Sequence, residues 1–132
     1  CLARGKGENL TLLPDFKINY HIIIVNPGVH ISTKWAYESL RFPDDLVKEP
    51  LYSELHTFSE SDINKFTNDF ESVAFEKYNE LEVIKNEFYE FGAVYSSMTG
   101  SGASIYGFFK DDSDMKKTIN YFKDKKYKVF PV

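Results

Sequence analysis

GAVYSSMTGSGASIYGFF, residues 92–109, places two short apolar and aromatic runs on either side of a bend. AVYSSM (93–98) and SIYGFF (104–109) have the length and the side chains of strands. Between them Gly100 and Gly102 flank Ser101, and glycine reaches backbone angles that other residues avoid, so the chain can reverse there. The same freedom can aim successive N–H groups at one point and form an anion nest. A hairpin is predicted, and whether its turn also handles phosphate stays open. The loop fits neither common phosphate pattern: Ala103 stands where a P-loop needs lysine, and Ile105 where a dinucleotide fingerprint needs a third glycine. It also joins two strands instead of opening a helix, so no helix dipole assists an anion.

Working outward, DDSDMKKTINYFKDK (111–125) reads as a helix, with acids at its start, lysines toward its end and Met115, Ile119 and Phe122 in one stripe. YKVFPV (127–132) closes the chain as a strand. Upstream, a helical period begins near Thr67. Phe70, Val73, Ala74, Tyr78, Leu81, Ile84, Phe88 and Phe91 share one face, and Gly92 is placed to stop a single long helix. Residues 40–61, with Pro43, Pro50 and scattered acids, read as a long loop. KWAYESL (34–40) predicts a short helix capped by Ser32 or Thr33. YHIIIVNP (20–27) and ENLTLLP (8–14) read as strands, and the unbroken HIIIV run suits a central strand covered on one or both faces. From residue 20 the order is strand, helices, strand, strand, helix, strand. That is an α+β, ferredoxin-like split βαβ sandwich: an antiparallel sheet with helices on one face.

A chain of 132 residues suffices for one core. Its 16 basic and 20 acidic residues give a net charge of −4, which argues against a nucleic-acid binder, since that needs a basic face. A small phosphorylated ligand is not excluded. No apolar run approaches the roughly 20 residues that span a bilayer, and no signal-peptide pattern is present, so no membrane partner is expected. Cys1 is the only cysteine, which rules out an intrachain disulfide and suits a cytoplasmic protein. The opening CLARGKGENL lacks an initiator methionine and reads as the start of a fragment.

Other candidate sites have plain structural readings beside them. Asp69 and Glu71 in TNDFE are close in sequence, but their i,i+2 spacing puts them on different sides of a helix; a cap from Thr67, Asn68 or Asp69 is the better expectation. His21, His30 and His56 have no metal-ligand spacing. Trp35 and Tyr37, near Thr33, suit core packing on a short helix, with a ligand platform as the rival. Arg4 and Lys6 sit in a glycine-bearing stretch that could touch phosphate, with a solvated turn as the better expectation.

GKGENL (5–10), NPGVHISTKWAY (26–37), FTNDFE (66–71) and the opening stretch together resemble the C-terminal half of the 4-diphosphocytidyl-2-C-methyl-D-erythritol kinases, a family of the GHMP kinase superfamily. The resemblance covers essentially the whole chain; Phe70 and Lys6 depart from the usual leucine and arginine. It implies a GHMP kinase C-terminal domain over residues 19–132, preceded in 1–18 by a remnant of the upstream domain and its connecting strand. The intact enzyme would use ATP and Mg²⁺ to phosphorylate the substrate's 2-hydroxyl in non-mevalonate isoprenoid synthesis, with the N-terminal domain as partner.

In such kinases Gly100, Ser101 and Gly102 match a turn beside the ATP-phosphate loop, and Thr33 and Tyr37 match positions near the cytidine of the substrate. The family's ATP loop, N-terminal lysine and catalytic aspartate lie upstream and have no match here. No catalytic residue is therefore assigned, and this chain alone is expected to be inactive. The rivals are another GHMP kinase and a free-standing ferredoxin-like binding module.

Overall fold

The computed structural model describes residues 8–12, 19–40, 63 and 65–132, and the backbone of residues 2–4. Two short strands, β1 (Leu2–Arg4) and β2 (Asn9–Thr11), pair with each other antiparallel, Ala3 opposite Leu10. The strand expected over 8–14 thus exists in part. Its partner is the Leu2–Arg4 segment, which carries no strand signal of its own.

The main sheet is built on β3 (His21–Asn26). Ile23 and Val25 are wholly buried on one face, and Ile22 and Ile24 are half-buried on the other, as the unbroken apolar run predicts. β4 (Tyr95–Met98) and β5 (Ile105–Phe109) form the hairpin around the glycine turn, and β6 (Lys128–Pro131) closes the sheet. The order is β4-β5-β3-β6 with every neighbouring pair antiparallel. This is the split βαβ arrangement, and it confirms the α+β ferredoxin-like expectation.

Three of the helices are α1 (Thr33–Ser39), α2 (Phe70–Lys77) and α3 (Asn79–Glu90). A further helix, α4 (Asp112–Asp124), precedes β6. Ser32 caps α1, its side chain accepting from the Trp35 N–H at 3.4 Å. Leu81, Ile84 and Phe88 of α3 and Phe122 of α4 meet Ile23, Val25, Ile105 and Phe109 in one core on a single face of the sheet. Phe88 lies 5.1 Å from Phe122 and 6.0 Å from Phe109, ring to ring.

The single long helix expected from Thr67 to Phe91 is two helices. Tyr78 leaves the helical region (φ −128°, ψ 70°), and its ring meets Trp35 edge-on at 6.1 Å. The backbone bonds on both sides survive, Tyr78 N–H to Ala74 O and Leu81 N–H to Tyr78 O, so the apolar period runs on through the break. Periodicity could not reveal it, because the apolar spacing is the same on both sides of the one residue that departs. The loop expected over 40–61 lies, but for Leu40, outside the described residues. No helix among the described residues is long and apolar enough to cross a membrane.

Candidate functional site

The turn between β4 and β5 is closed by two backbone bonds, Thr99 N–H to Ser104 O at 2.8 Å and Gly102 N–H to Thr99 O at 2.9 Å. Gly100 (φ +48°) and Gly102 (φ +98°) both take left-handed angles, which explains the two glycines physically. They are not equivalent. A Cβ at Gly100 would meet nothing within 4 Å, whereas one at Gly102 would lie 2.6 Å from Ile31 Cδ1 and 2.9 Å from Met98 Sδ.

Three elements grip this turn. At the end of β3, Asn26 Nδ2 donates to Ser104 Oγ at 2.9 Å. At the start of α1, Thr33 Oγ1 and Ser101 Oγ share a hydrogen bond of 3.1 Å. Ahead of α2, Asn68 Nδ2 donates to Met98 O at 2.7 Å and Gly100 O at 2.8 Å, while Asn68 Oδ1 accepts from the Phe70 N–H at 3.0 Å. Asn68 is thus the residue of the TNDFE stretch that caps, since Asp69 makes no side-chain cap bond. Below it Glu71 Oε1 accepts from the Met98 N–H at 2.7 Å and from Ser97 Oγ at 2.8 Å, and Oε2 accepts from Lys85 Nζ at 2.5 Å. That carboxylate is committed to the fold, which removes Asp69 and Glu71 as an acid–base pair.

An open cavity of about 480 Å³ lies beside the turn, its wall including Tyr37, Asn68, Asp69, Phe70, Tyr95, Gly100 and Tyr106. Tyr37 is 62% exposed, its ring edge-on to Phe70 at 4.9 Å, so it does not complete the core. Trp35 is the half-buried aromatic of that helix, against Tyr78 and beneath Lys77 Nζ at 4.1 Å. At the cavity floor the Tyr95 hydroxyl donates to Phe66 O at 2.9 Å, and burial pushes its pKa well above the ordinary tyrosine range. Of the residues named from sequence, Tyr37 and Gly100 line this cavity, while Thr33 bonds Ser101 in the turn and Gly102 closes the turn from within. The bonds that Asn26, Asn68 and Glu71 make here reach partners between 26 and 78 residues away in the chain, so local spacing does not show these roles.

The Gly100 and Ser101 N–H groups have no protein partner among the described residues, while Gly102 spends its own inside the turn. Two free backbone donors beside a left-handed glycine suit a phosphate oxygen. A magnesium ion is a different matter. Among the described residues no three His, Cys, Asp or Glu side chains cluster, and Asp69 is the one acid on the cavity wall. The donor set does not fit a metal cage, and no step is assigned to a metal on this chain.

Residues 49–128 match the family model described as GHMP kinases C terminal. Two relatives carry the name 4-diphosphocytidyl-2-C-methyl-D-erythritol kinase. That of Thermodesulfovibrio yellowstonii is 32% identical over 92% of this chain and 45% of its own length. That of Acetivibrio thermocellus is 31% identical over 98% of this chain and 47% of its own. The crystal structure of a 4-(cytidine 5'-diphospho)-2C-methyl-D-erythritol kinase superposes with a TM-score of 0.69 at 20% identity, over 98% of this chain and 47% of that one, a likeness of fold. The chain spans a little under half the length of the relatives it matches.

Proposed function

The chain belongs to the GHMP kinases through their C-terminal domain, and from that membership we propose that it forms the C-terminal part of an ATP-dependent kinase. The substrate is 4-diphosphocytidyl-2-C-methyl-D-erythritol, phosphorylated on its 2-hydroxyl, and the names of the relatives support that choice. The carrying observation is the bond between Thr33 and Ser101, which ties a substrate-side residue directly to the glycine turn.

In this proposal residues 19–132 are the C-terminal domain, and residues 1–18 belong with the segment that precedes it. ATP supplies the phosphoryl group. The free N–H groups of Gly100 and Ser101 orient its phosphates from one side, and Gly102 keeps the turn in shape. Thr33 and the exposed ring of Tyr37 hold the cytidine end, where stacking contributes about 1–3 kcal/mol. The charge-bearing catalytic groups belong to the other half, so the 132-residue chain alone should not turn over ATP.

The test uses the protein that joins this chain to its kinase half. Transfer from ATP to the cytidyl substrate is expected, and transfer to another GHMP substrate instead would replace the assignment. Tyr37→Ala should raise the KM for the cytidyl substrate about tenfold or more with little change in the ATP KM. Tyr37→Phe keeps the π-face and should stay near wild type. Equal loss of both affinities with a large fall in Tm would return Tyr37 to a packing role.

A further inference from the structure

Met98, the last residue of β4, is held through both of its backbone polar groups by one turn of chain at the start of α2. Glu71 takes its N–H and Asn68 bonds its C=O. Asn68 reaches one step further, to Gly100 O, so its two amide hydrogens bracket Thr99 at the loop entrance. Its oxygen meanwhile accepts from Phe70 N–H, and a flipped amide would set that oxygen against two carbonyls. The other ties to the turn, from Asn26 and Thr33, are single bonds to side-chain hydroxyls. Asn68 bonds its main chain.

We propose that Asn68 is a positioning residue for phosphoryl transfer: Gly100 O shares its peptide plane with the Ser101 N–H, and the clamped Met98 O and Gly100 O flank the peptide that carries the Gly100 N–H, so the clamp holds both donors in place and sets nucleotide affinity and turnover through them. This rests on the kinase reading above. Free donors help only when held in place before the ligand arrives, and a displacement of about 1 Å in a positioning group can lower a rate about a hundredfold.

The amide does two jobs that substitution separates. Asn68→Asp keeps the volume and keeps an oxygen for Phe70 N–H, so it preserves the helix cap, while it turns both loop donors into a repelling oxygen. Asn68→Ser also keeps a cap acceptor, and its hydroxyl has one hydrogen for two carbonyls. Amide hydrogen exchange on the 132-residue chain reads the clamp directly. In both variants Thr99 and Gly102 should exchange about tenfold faster, with the amides of α2 unchanged. Wild-type protection of those two amides, or failure of both variants to fold, overturns the clamp.

Kinetics on the protein joined to its kinase half read the consequence. Asn68→Asp should lower kcat/KM for ATP about tenfold or more and leave the KM of the cytidyl substrate unchanged. A loosened turn with wild-type kinetics overturns the positioning role. A wild-type protein that transfers no phosphate sinks the kinase reading instead, and with it the role assigned here, while the exchange result still decides the clamp.

Discussion

At the scale of the residue, Gly102 answers two demands at once. Its φ of +98° excludes most side chains, and Ile31 and Met98, both buried, close the space a Cβ would fill. Gly100 answers only the first, since it is exposed with φ +48° and open surroundings. Alanine at Gly100 should therefore cost about 1–2 kcal/mol from the left-handed angle alone. Valine at Gly102 adds a clash with two core side chains and should cost more, roughly 3 kcal/mol, while displacing the turn. Denaturant unfolding of both variants gives the ranking, and equal costs would contradict it. In the joined kinase, Gly102→Val should also lose turnover, because the displaced turn carries Gly100 and Ser101 with it. Unchanged ATP affinity and turnover there would leave the loop a mere hairpin.

At the scale of the element, the α3–β5 contact is set by a glycine the sequence does not advertise. Gly107 lies mid-strand, opposite Ser96 and Ile23, and a Cβ there would stand 2.5 Å from the Phe88 ring. Its absence lets α3 lie close on the sheet. Gly107→Ala should destabilise by about 1–3 kcal/mol through overpacking, and Phe88→Leu in the same chain should recover part of that loss. Additive losses in a double-mutant cycle would separate the two residues. The elements themselves are largely legible. The β4–β5 hairpin, the α4 stripe of Met115, Ile119 and Phe122, and the split βαβ order follow from period and punctuation. The break at Tyr78 is not, because the ring it meets there, Trp35, stands 43 places earlier in the chain, 78 − 35. The β1–β2 pairing is not legible either, since the Leu2–Arg4 segment has no apolar alternation and Leu10 stays 66% exposed. Among the residues of the proposed site, Thr33, Tyr37 and the glycine turn come from the resemblance. Asn68 offers only a cap signal, and its loop bonds exist once the fold has brought α2 to the end of β4.

At the scale of the whole molecule, α3 is tied to α4 and to the chain that follows it by two polar couplings. Glu87 accepts from Tyr121 Oη at 2.6 Å and from Lys125 Nζ, and Glu80 accepts from Tyr127 Oη at 2.6 Å. The bond to Glu87 raises Lys125 above the usual lysine range. Burial, aided by the bond to Glu80, pushes Tyr127 up to about 12. Tyr95, beneath the cavity, is raised further still, mainly by burial. All three groups hold their protons more tightly folded than unfolded, where tyrosine and lysine titrate near about 10 and 10.4. Above about pH 10 the unfolded chain therefore binds fewer protons than the folded one, and the slope of stability against pH is negative. These couplings are fully present at neutral pH and are lost as pH climbs through the raised values. Thermal unfolding should show a Tm insensitive to these groups below about pH 9 and falling steadily above about pH 10. Tyr127→Phe should lower stability at pH 7 by about 1 kcal/mol, the net worth of its hydrogen bond. In that variant the alkaline fall should be shallower, because one of the three late-titrating groups is gone. A Tm that holds level to about pH 12, or a variant that falls as steeply as wild type, would show that the tie between Tyr127 and Glu80 does not couple the chain after α4 to α3.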